Sequence, residues 1–523
     1  MDIVVGSGPA AAACAKGLLA TGHSVLMLDV GERLEPDRRA ALDHLRSLPV
    51  ADWSSSSDVL KENSAPDVGG LPKKLLAGSD FPFRWLDSRC EIISDRVDTL
   101  TSHALGGLSN IWGANLLPLL RQDTDTWEIE SSILEPYYKK VTGYVPLAAT
   151  ADELEEHFPM HAESYSPLPQ SRQAQTYLRR LRGRGESLRR QGVYFGGSRL
   201  AVRAAPHPGN SGCVACGLCL YGCPNDLIYC SSWTVADMRR HDRFQYQSGW
   251  LVVRLEPQAS DVRVIARRID TGVEESFVAE RVFVGAGVVN STRLLLASLR
   301  AFNEPIEIKD SQYLLVPLLK VLPTLGVTSE RLHGLSQVCL GFLTNRSTQR
   351  SIHGLIYTYN DLFLRAVTRL AGPLAPWTRP IIRHLMGHLS VYQAYLHSDD
   401  SHSLIATLEL QGERERVLLG RQDNPRTPAV LSELRRKLLG LSTTLGAVPL
   451  TFMSQVAMPG KSYHIGSRFP MSKTPGRFGT YLDGSVHGLD HVYSVDAANF
   501  PSVPATNLTF TSMANAYRIG FES

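Results

Sequence analysis

Residues 2–31 constrain the fold more than any other stretch of the chain. Ile3-Val4-Val5 is a short β-branched run, followed at once by Gly6-Ser7-Gly8-Pro9-Ala10-Ala11. An alanine-rich stretch to Leu19 then favours helix, and Ser24-Val25-Leu26-Met27-Leu28 reads again as strand. In this strand–turn–helix–strand order, Gly6 permits a tight turn and Gly8 lets a pyrophosphate approach the backbone. Ala11, in place of a third glycine, still allows close packing of helix on strand. The helix N-terminus supplies amide donors and a positive dipole end. Asp29, at the end of the second strand, is placed to accept from ribose hydroxyls. A glycine turn alone binds nothing; the strand, helix and acid around this one predict a dinucleotide site. The fingerprint does not distinguish NAD from FAD.

The chain has 8 cysteines, of which Cys213, Cys216, Cys219, Cys223 and Cys230 lie close together while Cys14, Cys90 and Cys339 stand alone. A disulfide framework would spread them along a small chain, so the clustering reads as metal ligation. Cys213 to Pro224 has the C-x2-C-x2-C-x3-C-P spacing of bacterial ferredoxins, which presents several thiolates from one short loop to an iron–sulfur cluster. Zinc ribbons pair two separated C-x2-C knuckles, a different arrangement. A metal-free loop is the other alternative. In two-cluster ferredoxins the fourth cysteine serves the other cluster. With no second run here, Cys223 closes a [4Fe–4S] site, or Cys230 or a distant thiol does so, or a [3Fe–4S] cluster uses three cysteines.

The far end of the chain carries Ser462-Tyr463-His464-Ile465-Gly466-Ser467, then Val492-Tyr493-Ser494-Val495-Asp496-Ala497-Ala498-Asn499-Phe500-Pro501, then Pro504-Ala505-Thr506-Asn507. This order resembles the C-terminal block of the glucose-methanol-choline (GMC) oxidoreductases. Ala104-Leu105-Gly106-Gly107-Leu108-Ser109-Asn110-Ile111-Trp112-Gly113 resembles that family's second flavin-binding loop, and Val282-Phe283-Val284-Gly285-Ala286-Gly287 the strand closing its nucleotide sheet. Trp112, Asp29 and Leu508 stand where the family often has Asn, Glu and Pro. The resemblance implies FAD, held by Gly6, Gly8, Ala11, Asp29, Gly106, Gly107, Asn110, Trp112, Gly113, Val252, Asp496 and Ala497. It implies His464 as the catalytic base and Asn507 in the place of the second His or Asn. Histidine suits a base near neutrality, whereas an amide can only orient the substrate hydroxyl. His103 and His487 lie in or near these blocks with no role assigned.

The fold class expected is α/β. A discontinuous Rossmann-like FAD-binding domain takes residues 1–124, 196–300 and 451–523, and an antiparallel-sheet substrate or cap domain takes 125–195 and 301–450. A ferredoxin-like cysteine insertion occupies 205–235. Strand-like alternation at Tyr313-Leu314-Leu315-Val316 and Ser403-Leu404-Ile405-Ala406-Thr407-Leu408 suits a sheet covering the flavin. Residues 73–84 read only as a loop near the nucleotide domain.

A formal net charge of +3 without a basic tail argues against a nucleic-acid partner. No run reaches the roughly 18 apolar residues a spanning helix needs. With Met1 as the native start, the cytoplasm is the expected location. Residues 362–397 contain no acid but hold Arg365, Arg369, Arg379 and Arg383 among apolar residues. Such a stretch lies on an anionic membrane surface, or packs as two helices on the core with solvated arginines.

The expected activity is oxidation of an alcohol, a sugar or glycoside hydroxyl, by FAD. Electrons leave through the cluster to a small electron-transfer protein or a quinone. The rival expectations are an oxygen-using oxidase without a cluster, a non-redox FAD lyase, and a redox-sensing module without turnover.

Overall fold

The computed structural model describes residues 1–61, 74–207, 211–370, 372 and 375–523. Residues 62–73 of the expected FAD-binding domain, 208–210 of the cysteine insertion, and 371, 373 and 374 of the basic segment lie outside these. The chain builds a parallel sheet, two sheets dominated by antiparallel pairs, and a small three-stranded sheet.

Strand β1 (Asp2–Val5) is buried along its whole length, and helix α1 (Pro9–Ala20) follows the glycine turn. Strand β2 (Val25–Leu28) pairs parallel with β1, with Asp2 opposite Val25. Phe244–Gln247 lies parallel outside β2, and Val282–Val284 and Val492–Ser494 extend the sheet on the other side of β1. Widely separated segments thus share one sheet. Its short central strands, buried and mostly apolar, are those of a parallel sheet covered on both faces.

The two ends of the chain meet directly. Helix Thr509–Glu522 packs on α1 through Gly17 and Gly520, where an added Cβ would collide with the carbonyl oxygens of Tyr517 and Cys14 respectively. Small residues here let the two backbones approach.

The covering sheet runs Ala447–Pro449, Tyr313–Lys320, Leu389–Leu396, Ile352–Tyr357, Val338–Phe342 and Val193–Gly197, all antiparallel. Its strands alternate. Leu314, Val316, Tyr392 and Ala394 pack beneath helices Arg172–Arg182 and Thr427–Gly440, while Tyr313, Leu315 and Tyr395 face the other way.

Ser403–Gln411 does not join that sheet. It pairs with Ile306–Asp310 and Arg414–Gln422, in a separate sheet that also takes in Cys90–Asp95 and Ile465–Gly466. Leu404, Ala406 and Leu408 face a core shared with Ile3, Val5 and Leu26 of the parallel sheet. Alternation specifies a strand with one apolar face; it does not specify which neighbour that face meets.

Residues 250–257 and 262–268 form an antiparallel hairpin, with a register shift just after Val252. The basic segment forms two helices, Asp361–Leu370 and Ala375–Leu385. No helix among the described residues is long and apolar enough to cross a membrane.

Candidate functional site

One large cavity of about 440 Å³ starts at the glycine turn and ends beneath the covering sheet. Its near end is a cradle. Gly6 adopts φ +93°, and a Cβ there would stand 2.8 Å from the Gly285 carbonyl oxygen. At Gly8 a Cβ would meet nothing within 4 Å, so the backbone is open toward the cavity. Gly8 caps α1 without a side-chain bond, leaving first-turn amides free to receive an anion.

Asp29 closes this end. Ser7 Oγ and, at 3.1 Å, Tyr246 OH donate to its carboxylate, while burial pushes its pKa up to about 6. Val252 lines the same end. Asp496 accepts from the Gly287 amide at 2.9 Å, Ser291 Oγ at 2.6 Å and the Ala498 amide at 2.9 Å. Oδ2 of Asp496 therefore ties the end of the last sheet strand to the start of helix Val288–Ser298 while Oδ1 closes its own turn, and Asp496 and Ala497 line the cavity.

Gly107, Trp112 and Gly113 also line it, but Gly106, Asn110 and Ala11 stand behind the wall. Gly106 donates its amide to Ser7 Oγ at 3.0 Å, and a Cβ on it would lie 2.5 Å from Cys230 Sγ. Asn110 Nδ2 donates to the carbonyls of Leu105 and Gly107, fixing the loop. Ala11 packs against Gly285, where an added Cβ would come within 2.9 Å of it. These three support the cradle rather than face into it.

At the far end His464 and Asn507 meet, with Asn507 Nδ2 3.4 Å from His464 Nε2. The imidazole stacks on Tyr395 with ring centroids 4.9 Å apart. Burial lowers its pKa to about 4, so it is neutral at pH 7 and able to accept a proton. Ser462 Oγ receives the His464 amide at 2.9 Å and donates to Asp310 at 2.6 Å, which also receives the Gly460 amide. Asp310 thereby pins the turn that carries the histidine.

Thr99 Oγ1, His103 Nε2, Asn290 Oδ1 and His464 Nδ1 all line this cavity, buried and without a protein partner. Buried polar atoms are nearly always hydrogen-bonded, so this set fits a polar molecule held along the cavity's length. The donors and the open cradle fit a dinucleotide.

Cys213, Cys216, Cys219 and Cys223 line a second, small cavity of about 20 Å³, beside His333 and Leu335. The loop is irregular, with positive φ at Gly212, Gly217 and Gly222. Burial raises all four thiol pKa values, that of Cys223 to about 12, and neighbouring thiols raise those of Cys216, Cys219 and Cys223 further. Four thiols are the donor type an iron–sulfur cluster takes. As the thiols stand, the space holds about one water, so a cluster requires the side chains to turn apart. Among the described residues, no group of three or more His, Cys, Asp or Glu side chains is arranged to hold a metal ion, the expected cysteine ligands included. Cys230 does not face the other four: its Sγ lies 3.3 Å from Ser109 Oγ and 3.5 Å from Asn110 Oδ1.

Lys74 stands between the two cavities. It lines the large one and donates to the Trp112 carbonyl at 3.2 Å; burial lowers its pKa to about 8, against an opposing influence of the nearby Cys219 and Cys223. Leu220 and Trp112 line the large cavity and pack in the same cluster as Cys219 and Cys223.

Sequence reasoning missed Lys74, Asp310 and His353. His353 is fully buried, its Nδ1 lies 2.9 Å from Tyr194 OH, and burial lowers its pKa to about 3, with His464 lowering it further and a hydrogen bond to Asn507 opposing. It sits mid-strand in the covering sheet with no motif around it, and Lys74 in a loop without periodicity. The Asp310–Ser462 bond spans 152 positions and has no local signal.

The family model described as GMC oxidoreductase matches residues 443–516. A search of the curated proteins finds no match. Among solved structures, pyridoxine 4-oxidase from Mesorbium loti aligns with TM-score 0.60 and 14% identity, covering 100% of this chain and 98% of its own. Formate oxidase aligns with TM-score 0.61 and 12% identity, covering 99% and 97%. The matched C-terminal residues 443–516, which carry His464, Asp496 and Asn507, are thus those of a GMC oxidoreductase C-terminal domain, and the fold is shared along the chain with these two oxidases.

Proposed function

We propose that the protein is an FAD-dependent dehydrogenase that oxidises an alcohol to a carbonyl compound, with His464 as base and Asn507 as the positioning amide. The observation that carries this reading is the His464–Asn507 pair at the end of a cavity that begins at the Gly6–Gly8 cradle. Bound there, FAD supplies the acceptor for the hydride of the alcohol carbon. The neutral His464 imidazole takes the hydroxyl proton, and Asn507 Nδ2 donates to the substrate oxygen and holds it in line. The covering sheet excludes water from above. Tyr313, Tyr357, Tyr395 and Gln393 face the cavity. Aromatic rings and an amide of this kind favour a sugar or glycoside hydroxyl over an aliphatic alcohol.

Cys213, Cys216, Cys219 and Cys223 would hold an iron–sulfur cluster, [4Fe–4S] or [3Fe–4S], which supplies one-electron transfer to an external carrier. Lys74 places a cation between that site and the flavin cavity. The test is anaerobic mixing of the FAD-loaded protein with a panel of sugars, glycosides and simple alcohols. Bleaching of the flavin absorbance by at least one supports the reading. A flavin that none of them reduces, but that dithionite does, overturns it in favour of a non-redox flavoprotein.

A second reading has one observation behind it. The cysteine cavity is only about 20 Å³. If the loop is purely structural, the same flavin site describes an oxygen-using alcohol oxidase; both structural neighbours are oxidases by name. Iron content separates the two readings.

A further inference from the structure

The helix Ala375–Leu385 has two apolar faces. Ile382 and the following Met386 are buried against Val327, Leu332 and Tyr359. Trp377, Ile381 and Leu385, spaced every fourth position, point outward and are 83%, 62% and 43% exposed. A surface helix in water ordinarily turns polar residues outward.

The neighbouring chain continues the pattern. After strand Tyr313–Lys320 the turn is held to the end of this helix, with the Thr324 amide donating to the Gly387 carbonyl and the Lys320 amide to that of His388. It exposes Val321, Leu322 and Leu325. On the other side of the same strand, Val448 lies opposite Leu319, both exposed, and the next turn presents Phe452 at 84% exposure. Isolated exposed apolar residues are ordinary, but a connected run of this size marks an interaction surface.

Its charge is one-sided. The chain has 51 acidic residues in 523, yet residues 319–326, 375–388 and 446–456, which carry the exposed apolar side chains of this edge, contain none. Within and beside them the sequence holds Arg379, Arg383, Arg435 and Arg436; Arg383 and Arg436 are exposed, and Arg435 donates to Ser454 Oγ at 3.0 Å.

We propose that this edge is an interfacial docking surface for an anionic lipid bilayer. Trp377, Ile381, Leu322 and Phe452 enter the headgroup boundary, and the exposed Arg383 and Arg436 meet lipid phosphates. A second copy of the chain is the poorer occupant, because a two-fold contact through this edge would set its cationic rim against itself. Asn360 and Leu362, at the start of the preceding helix, line the large cavity, so docking brings the bilayer close to that wall. The inference is independent of the redox reading.

The test uses the full-length FAD-loaded chain with sedimenting vesicles of phosphatidylcholine alone or mixed equally with phosphatidylglycerol. The protein is expected to sediment with the mixed vesicles, less so at high salt, and not with phosphatidylcholine alone. Leu322→Glu with Trp377→Glu should lower the bound fraction about tenfold or more, while flavin content and alcohol-driven flavin bleaching stay unchanged. In wild type, brominated lipid should quench tryptophan fluorescence, and Trp377→Phe should remove most of that quenching. Absence of co-sedimentation with the mixed vesicles overturns the proposal. So does a concentration-dependent dimer that the double variant dissolves, which would give the face to a second copy.

Discussion

Asn507 Nδ2 stands 3.4 Å from Nε2 of His464, at the closed end of the cavity that starts at Gly8. The two residues come from segments 43 positions apart and meet because Ile465–Gly466 pairs with Ile306–Asp310 while the helix after Asn507 docks on α1. An imidazole and an amide at such a distance can serve one oxygen, the first as acceptor of its proton and the second as donor to the oxygen itself.

His464→Ala should leave FAD bound and slow flavin reduction by alcohol about 10²–10⁴-fold, the usual contribution of a positioned general base. Asn507→Ala should cost about tenfold, one hydrogen bond's worth. Anaerobic stopped-flow absorbance measures both. Wild-type rates in His464→Ala would remove the residue from the chemistry.

The pH profile follows from burial. The folded imidazole of His464 has its pKa lowered to about 4, so it remains neutral, and competent as base, from pH 7 down past pH 5. The rate of flavin reduction at sub-saturating alcohol should therefore hold level across that window and fall only as pH approaches 4. An acid limb centred near 6.5 would mean a solvated histidine.

Cys216→Ser should abolish bound iron and leave FAD in place. Cys230→Ser should keep the iron, since its sulfur contacts Ser109 and Asn110 rather than the other four thiols. Iron and flavin quantified on each variant read this directly; loss of iron from Cys230→Ser alone would reassign the fourth ligand.

Gly17→Ala places a Cβ against the Tyr517 backbone carbonyl and must push α1 away from the C-terminal helix. A loss of about 1–3 kcal/mol is expected from such overpacking, read as a lower thermal midpoint with weakened FAD retention. An unchanged midpoint would show that the two helices separate freely.

Much of this was legible in the sequence because its signals are local. The turn at Gly6–Gly8, the acid at Asp29 and the spacing of Cys213 to Cys223 each lie within one short window. The C-terminal motifs carried His464 and Asn507 by resemblance. What the sequence did not disclose depends on distant partners: Ser403–Gln411 leaves the covering sheet for one beside Cys90–Asp95, Lys74 reaches the wall between two cavities, and Asp310 pins the His464 turn. Gly106 and Asn110, read as cofactor contacts, stand behind the cradle because their loop is fixed by bonds to Ser7, Leu105 and Gly107.

The most direct test is an absorption spectrum of anaerobically purified protein with iron and flavin quantified on the same sample. The account predicts flavin bands on a broad iron–sulfur shoulder, with three or four irons per FAD. Flavin bands without iron would contradict the dehydrogenase reading and leave the oxidase; no flavin at all would contradict the assignment of the cavity.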